Sequence, residues 1–206
     1  YTEKLMLSLK KRKKGKPVRV NYDAEMPHDL LNYIIRKLRM KDESNIIPGG
    51  RYHNFRNFMK FPSVGGEHMH YPKQKPLYHP DLKDAESLFE VIKNKDILLA
   101  FPYQSYHHIL DVLREAAIDP KVDNIMITLY RVAENSNVAY TLLNAIKNGK
   151  KVTVVVELQA RFDEENNIYW ANKLQEEGAT IKFGIPGLKV HSKLFLISRK
   201  EGNKTK

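Results

Sequence analysis

The sequence predicts an α/β fold in which a mainly parallel or mixed sheet is flanked by helices. Three observations lead to this prediction. From residue 87 onward, short aliphatic runs of strand length alternate with segments of helical periodicity, an order typical of parallel sheets. Residues 62–80 are rich in proline, glycine and histidine and show no period, which indicates a domain boundary. The 206 residues, 42% of them hydrophobic, are enough for one large or two small domains.

The region before the boundary predicts a few short elements. Residues 5–9 begin either a strand or the last part of a helix, and the basic run 10–16 favours a solvated surface, with a polyanion-binding patch as the alternative. An acidic residue and a proline at 23–27 are helix-start signals. The predicted elements that follow the basic run are a strand over 17–22, an amphipathic helix over 24–40, a turn over 47–54 and one or two helical turns over 55–61.

The region after the boundary predicts the sheet. Its elements are a helix over 87–93, a buried strand over 97–100, a helix over 106–117, a strand over 124–130, a helix over 135–148, a strand over 151–158, a helix over 164–177, and strands over 180–183 and 190–198. Asp163 is suited to cap the helix that it precedes, and Gly178 follows that helix's end. We expect helices on both faces of this sheet.

The segment 184–197 combines a glycine- and proline-containing turn with an aliphatic run, so it predicts a loop followed by a strand buried on both faces. Side chains alternate in a strand, and His191 and Lys193 would therefore point the same way. An imidazole can attack phosphorus and an ammonium can neutralise phosphate oxygens, so the pair suits phosphoryl chemistry. The alternative is a histidine and a lysine that only face solvent.

Two arginines fall where predicted parallel strands end. Arg131 follows the strand over 124–130, and Arg161 follows the strand over 151–158. Ligands of such sheets bind beyond the carboxyl ends of the strands, and forked arginine donors match phosphate oxygens. The sequence therefore predicts a phosphate site, while pairing of both arginines with Glu157 and the acidic cluster 163–165 is left open.

Composition narrows the partners and the chemistry. A net charge of +11 favours a polyanion, which could be nucleic acid, nucleotide, polyphosphate or an anionic membrane. The absence of cysteine excludes disulfides, thiol catalysis and cysteine-bound zinc. Histidines at 53, 68, 70 and 79 give only a weak metal signal, and loop histidines without a ligand are the simpler reading. No apolar stretch approaches about 18 residues, so no membrane-spanning helix is expected.

Long motifs in both regions resemble the bacterial polyphosphate kinase family, the histidine-phosphorylating type built from phospholipase-D-like domains. The motifs are Tyr22–Pro27, Ile47–Asn54, Thr128–Arg131, Ala160–Asn167 and Gly187–Lys193. The resemblance covers almost the whole chain. The polar run 201–206, directly after a strong strand, adds the expectation that the chain is an internal piece of a longer protein.

The resemblance implies a phospholipase-D-like sheet over residues 81–206 and the end of an α+β head domain over residues 1–80. It implies reversible transfer of the ATP γ-phosphoryl group to polyphosphate, with His191 as the phosphorylated histidine and Lys193 beside it. It places Arg131 and Arg161 around the nucleotide phosphates and their Mg²⁺. A guanidinium cannot ligate a metal, so we interpret both arginines as phosphate clamps.

The resemblance also implies a homo-oligomeric, cytoplasmic protein without a specific nucleic-acid partner, with peripheral attachment to the inner membrane face left open. A second catalytic domain and an N-terminal domain would complete the active site, so this chain is expected to hold half of it and to be inactive alone. The wider phospholipase-D motif has an aspartate where this chain has Ser198, which counts against a phosphodiesterase. Phe101 replaces a histidine common in the family and receives no role. A phospholipase-D-like nuclease or lipase and a non-enzymatic polyanion-binding module stay open.

Overall fold

The computed structural model of the chain describes residues 2–158, 160, 163–184, 187–202 and 204–205. These residues form two compact units, Tyr1–Lys73 and Gln74–Lys206. Arg161 lies outside the described residues, so its predicted role has no structural counterpart here. None of the helices within the described ranges has the length and hydrophobicity of a membrane-spanning segment.

The first unit is a small α+β arrangement. Its elements are α1 (Thr2–Lys13), β1 (Val20–Asp23), α2 (His28–Leu38) and β2 (Ile46–Gly49), with 3-10 turns at Glu43–Asn45, Phe55–Lys60 and Glu67–Met69. Strands β1 and β2 pair in parallel, and α2 connects them. Residues 46–49 therefore form a strand where a turn was predicted from residue 47. Pro48 is tolerated because β2 pairs with β1 alone among the described strands, so its missing N–H breaks no second ladder.

The second unit contains a five-stranded mixed sheet. Its elements are α3 (Pro80–Lys83), α4 (Leu88–Asn94), α5 (His107–Ile118), β3 (Val122–Leu129), α6 (Asn137–Lys147), β4 (Lys151–Val156), α7 (Glu164–Glu176), β5 (Thr180–Phe183), β6 (Phe195–Glu201) and β7 (Lys204–Thr205). The strand order is β5-β4-β3-β6-β7. Strands β3, β4 and β5 are parallel, whereas β6 runs antiparallel to β3 and β7 antiparallel to β6. The predicted fold class is confirmed.

The core of the second unit lies between one face of the sheet and helices α5, α6 and α7. The largest fully buried side chains there are Leu113, Ile125, Leu142, Val154, Val156, Asn167, Ile168, Trp170 and Leu174. Alternate residues on the other face, Met126, Leu194 and Leu196, are exposed. The expectations of helices on both faces and of a β6 buried on both sides are therefore not met within the described residues.

Two predicted strands differ from the structure. Residues 97–100 form no strand, because no described strand pairs with them, although Ile97 and Leu99 pack against the cluster of Leu82, Leu88 and Val112 and Leu98 points into solvent. The strand predicted over 190–198 begins only at Phe195, as β6. Residues 189–194, just before β6, belong to no regular element, and their backbone is bound in part by side chains of β3 and of the segment after β4.

Candidate functional site

The sheet topology brings three of the predicted site residues together at the carboxyl end of the central strand, β3. Arg131 follows the carboxyl end of β3, whereas His191 and Lys193 precede the start of β6. Because β6 is antiparallel to β3, its beginning lies beside the end of β3, with Ile127 opposite Phe195. The segment that carries the histidine therefore meets the strand end that carries the arginine.

The ring of Tyr130 is the point on which these side chains converge. The rings of Tyr130 and His191 are 4.9 Å apart between centroids and nearly perpendicular. Lys193 Nζ lies 4.7 Å from the Tyr130 centroid, Lys189 Nζ 5.3 Å and Arg131 Cζ 5.6 Å. Cations within about 6 Å of an aromatic ring are attracted by its electron-rich face. One half-buried tyrosine therefore gathers three cations next to an exposed histidine.

Electrostatics at Tyr130 reflect this cluster. A hydrogen bond from Lys189 holds the pKa of the Tyr130 phenol below its ordinary value, and the charges of Lys189 and Arg131 act in the same direction against partial desolvation. The cluster is thus a region of positive potential that suits a phosphate. Neither Tyr130 nor Lys189 was assigned a role from the sequence, although both lie inside the motifs that carry the family resemblance.

Arg131 also has an acidic neighbour. Its Nε lies 3.3 Å from Asp163 Oδ2, and about half of its side chain is exposed. The alternative reading, in which this arginine pairs with the acidic cluster 163–165 at the start of α7, is therefore confirmed for Asp163. An exposed pair of this kind contributes little stability, so it is compatible with a guanidinium that also meets a ligand.

Two side chains hold the backbone on either side of His191. Glu157, which follows β4 and is buried, accepts the N–H of Val190 at 2.7 Å through Oε2. The hydroxyl of Thr128 in β3 donates to the carbonyl of Ser192 at 2.6 Å and accepts the N–H of Leu194 at 2.9 Å. The segment from residue 190 to residue 194 is thereby fastened to the ends of two neighbouring strands.

Asn167 joins the ends of the same two strands from helix α7. Its buried amide donates to the carbonyls of Tyr130 at 2.8 Å and Glu157 at 2.9 Å, and its Oδ1 accepts the N–H of Val132 at 3.1 Å. The amide thus makes three hydrogen bonds to backbone groups, two of them to the residues on either side of Arg131 and one to Glu157. From the sequence alone, Asn167 had no assigned role beyond its place at the end of the motif Ala160–Asn167.

A cavity of about 720 Å³ opens beside the cluster, over the carboxyl end of β3. Arg131 and Lys193 line it on one side, and the aromatic pair Phe101 and Tyr106, 5.5 Å apart, lines another part. The cavity is mostly apolar with cations at one end. Such a shape can take a ligand whose charged group meets the cluster.

Histidine, aspartate and glutamate side chains are the possible metal ligands of this cysteine-free chain. No group of three histidines, aspartates or glutamates that could hold a metal ion occurs in the described ranges. Among the loop histidines, His70 Nε2 lies 2.8 Å from Ser63 Oγ, and His79 Nδ1 accepts the N–H of Asp81 at the start of α3. His70 and His79 therefore each have a hydrogen-bonding partner in a neighbouring part of the chain.

Comparison with known proteins gives a consistent result. Residues 87–206 match the family described as polyphosphate kinase C-terminal domain 1, and residues 1–61 match the polyphosphate kinase middle domain. Polyphosphate kinases of Vibrio parahaemolyticus and Escherichia coli K12 are 48% and 47% identical over 98% and 97% of this chain. The chain spans 29% of the length of each of these two relatives.

A solved structure agrees with the sequence comparisons. The crystal structure of polyphosphate kinase from Porphyromonas gingivalis superposes with a TM-score of 0.73 at 37% identity. The match covers 93% of this chain and 29% of that chain.

Proposed function

The chain belongs to the polyphosphate kinase family, and on this premise we propose that the protein containing it transfers the γ-phosphoryl group of ATP reversibly to inorganic polyphosphate. His191 is the carrier, as a phosphohistidine. The observation that supports this assignment most is the convergence of His191 with Lys193, Lys189 and Arg131 on Tyr130. A nucleophile beside a cluster of fixed cations is what transfer of a highly charged group requires.

The transfer takes place in two displacements. In the first, a neutral ring nitrogen of His191 forms a bond to the γ-phosphorus, and the bond from that phosphorus to the bridging oxygen breaks, so ADP leaves with the electron pair. In the second, a terminal oxygen of polyphosphate attacks the same phosphorus and the P–N bond breaks. The chain is then longer by one phosphate and the imidazole is neutral again. Both steps are reversible because each leaving group is also a nucleophile.

The cations of the cluster act on the phosphoryl oxygens. Lys193 and Arg131 are placed to neutralise the charge on the equatorial oxygens, and Lys189 adds a third positive charge on the same ring. Single electrostatic contacts of this kind contribute roughly 3 kcal/mol to lowering a barrier in other enzymes. Arg161 keeps its proposed place as a second phosphate clamp.

We propose that Mg²⁺ is bound through the nucleotide phosphates, near Arg131 and Arg161, because the family resemblance places both arginines around these phosphates and their metal. Mg²⁺ commonly keeps several waters and uses substrate phosphates as ligands, where it neutralises phosphate charge. Arg131 and Lys193 would face the same phosphates.

The remaining partners and the domain limits are proposals as well. Residues 81–206 would carry the catalytic portion, and residues 1–80 the end of the preceding domain; the matched family regions support this division. Self-association can be checked by sedimentation of the native protein. Fractionation of cells would test a cytoplasmic position with or without peripheral attachment to the inner membrane face.

The experiment that tests the carrier uses the native protein that contains this chain, incubated with [γ-³²P]ATP and Mg²⁺. We expect a label that is lost in acid and stable in base, and we expect it to be absent from His191→Gln. The matched control is His107→Gln, an exposed histidine of the same unit, which should keep the label. Equal labelling of wild type and His191→Gln would refute the phosphohistidine. If neither protein is labelled and both bind polyphosphate, the binding-module alternative is favoured.

A further inference from the structure

The backbone on each side of His191 is held by a different strand end. Before the histidine, the N–H of Val190 donates to Glu157 Oε2 at 2.7 Å. After it, the carbonyl of Ser192 and the N–H of Leu194 both bond to Thr128 Oγ1, at 2.6 and 2.9 Å. His191 is thus the residue between two anchored points.

We propose that Glu157 and Thr128 are positioning residues that fix the imidazole of His191 for attack on phosphorus, an inference that rests on the proposed function. His191 itself is exposed, and residues 189–194 belong to no strand, so neither burial nor a full strand ladder holds the ring in place. In-line transfer depends on placement, and a shift of about 1 Å can slow a reaction roughly a hundredfold. The hydrogen bonds from both sides provide that placement.

Glu157 is suited to its role because its own position is fixed. Its N–H donates to the carbonyl of Leu129 at 2.9 Å, and its carbonyl accepts from the amide of Asn167 at 2.9 Å. Glu157 is only 4% exposed, and a buried carboxylate is tolerated where it accepts hydrogen bonds. A hydrogen bond from a backbone N–H to a charged carboxylate is stronger than a neutral one. A glutamine at this position would keep an acceptor oxygen and lose the charge.

Thr128 is suited to its role because one hydroxyl performs two tasks. It donates to the carbonyl of Ser192 and accepts the N–H of Leu194, so it closes a small ring of contacts with the chain after His191. Its backbone N–H also donates to the carbonyl of Leu194 at 2.9 Å. Valine has nearly the same shape without the hydroxyl, whereas serine keeps the hydroxyl without the methyl group.

The test measures the single-turnover rate of His191 labelling at saturating MgATP, by rapid quench, in the native protein that contains this chain. Equilibrium binding of ATP is measured in parallel. We expect Thr128→Val and Glu157→Ala to be labelled roughly tenfold to a hundredfold more slowly, with the Kd for ATP changed less than about twofold. Thr128→Ser and Glu157→Gln should recover most of the rate. Thr153→Val, on the neighbouring strand β4, is the matched control and should behave as wild type.

Several results would overturn the proposal. Labelling of Thr128→Val at the wild-type rate would exclude the hydroxyl tether. A rate loss matched by an equal loss of ATP affinity would indicate general damage to the site. Glu157→Gln as slow as Glu157→Ala would show that the charge of Glu157 acts and its tether does not. If Glu157→Ala does not fold, the Thr128→Val and Thr128→Ser pair decides. An unlabelled His191 in wild type would refute the proposed function itself, so the two failures are distinguishable.

Discussion

Replacing Asn167 by alanine should weaken the junction between the ends of β3 and β4. Alanine removes three hydrogen bonds and leaves the carbonyls of Tyr130 and Glu157 and the N–H of Val132 without this partner. Each lost bond has a net value of about 1 kcal/mol, and a group left buried without a partner costs up to roughly 3 kcal/mol. Because Asn167 is fully buried, we expect its replacement by alanine to lower the free energy of unfolding by about 3 to 5 kcal/mol.

The control for this change is Asn172→Ala on the same helix. Asn172 is exposed, so its replacement makes the same change in helix propensity without removing a buried contact. The difference between the two variants therefore isolates the three hydrogen bonds. Thermal unfolding gives the stability difference, and amide hydrogen exchange at Val132 gives a local measure, because that N–H loses its acceptor.

The expected result is a lower melting temperature and faster exchange at Val132 in Asn167→Ala alone. Labelling of His191 should also slow, because the carbonyl of Tyr130 that Asn167 holds lies next to Arg131. If the two variants differ by less than about 1 kcal/mol and exchange at Val132 is unchanged, Asn167 does not join these strand ends in solution.

Two further predictions concern the aromatic platform and the response to acid. Tyr130→Phe keeps the ring, so His191 in this variant should be labelled at a rate within about threefold of wild type, whereas labelling in Tyr130→Leu should be roughly tenfold slower. Tyr103→Leu, at an exposed tyrosine, is the control. Equal labelling rates in Tyr130→Phe and Tyr130→Leu would exclude a role of the ring. Asp119 Oδ2 lies 2.7 Å from Arg199 Nε, and although burial opposes it, hydrogen bonds from the Lys121 N–H and from Arg199 hold the pKa of Asp119 below its ordinary value. The ionised Asp119 therefore stabilises the fold above about pH 4, and this contribution is lost as the pH falls through the lower pKa of the folded state. The melting temperature of wild type should consequently fall more steeply in acid than that of Asp119→Asn.

Much of the fold could be predicted because local patterns determine it. Aliphatic runs at 124–130 and 151–158 became β3 and β4, and helices α6 and α7 begin within two residues of the predicted starts. Ser136 caps α6 through a bond to the N–H of Ala139, the local chemistry that fixes such a boundary. The strand prediction for 97–100 was wrong because a continuous apolar run indicates burial but does not reveal whether another strand is available to pair with it.

The difference between local sequence patterns and long-range contacts also explains which parts of the candidate site could be predicted. The sequence could predict that Arg131, His191 and Lys193 lie close together, because Arg131 follows a predicted strand, His191 and Lys193 stand at the predicted start of another, and a sheet brings such positions together. The contact of Arg131 with Asp163 joins two charged side chains, so residue types alone suggested it.

The anchors of the site could not be predicted for a physical reason. Glu157, Thr128 and Asn167 bind backbone N–H and carbonyl groups 33, 64 and 35 residues away, at Val190, Ser192 and Val132. Every residue except proline offers the same backbone donor and acceptor, so the partner position carries no sign of the contact. In sequence, Thr128 is therefore an ordinary strand threonine and Asn167 an ordinary helix asparagine. The fold alone gives them a role, since it brings the ends of β3 and β4 against the chain around His191.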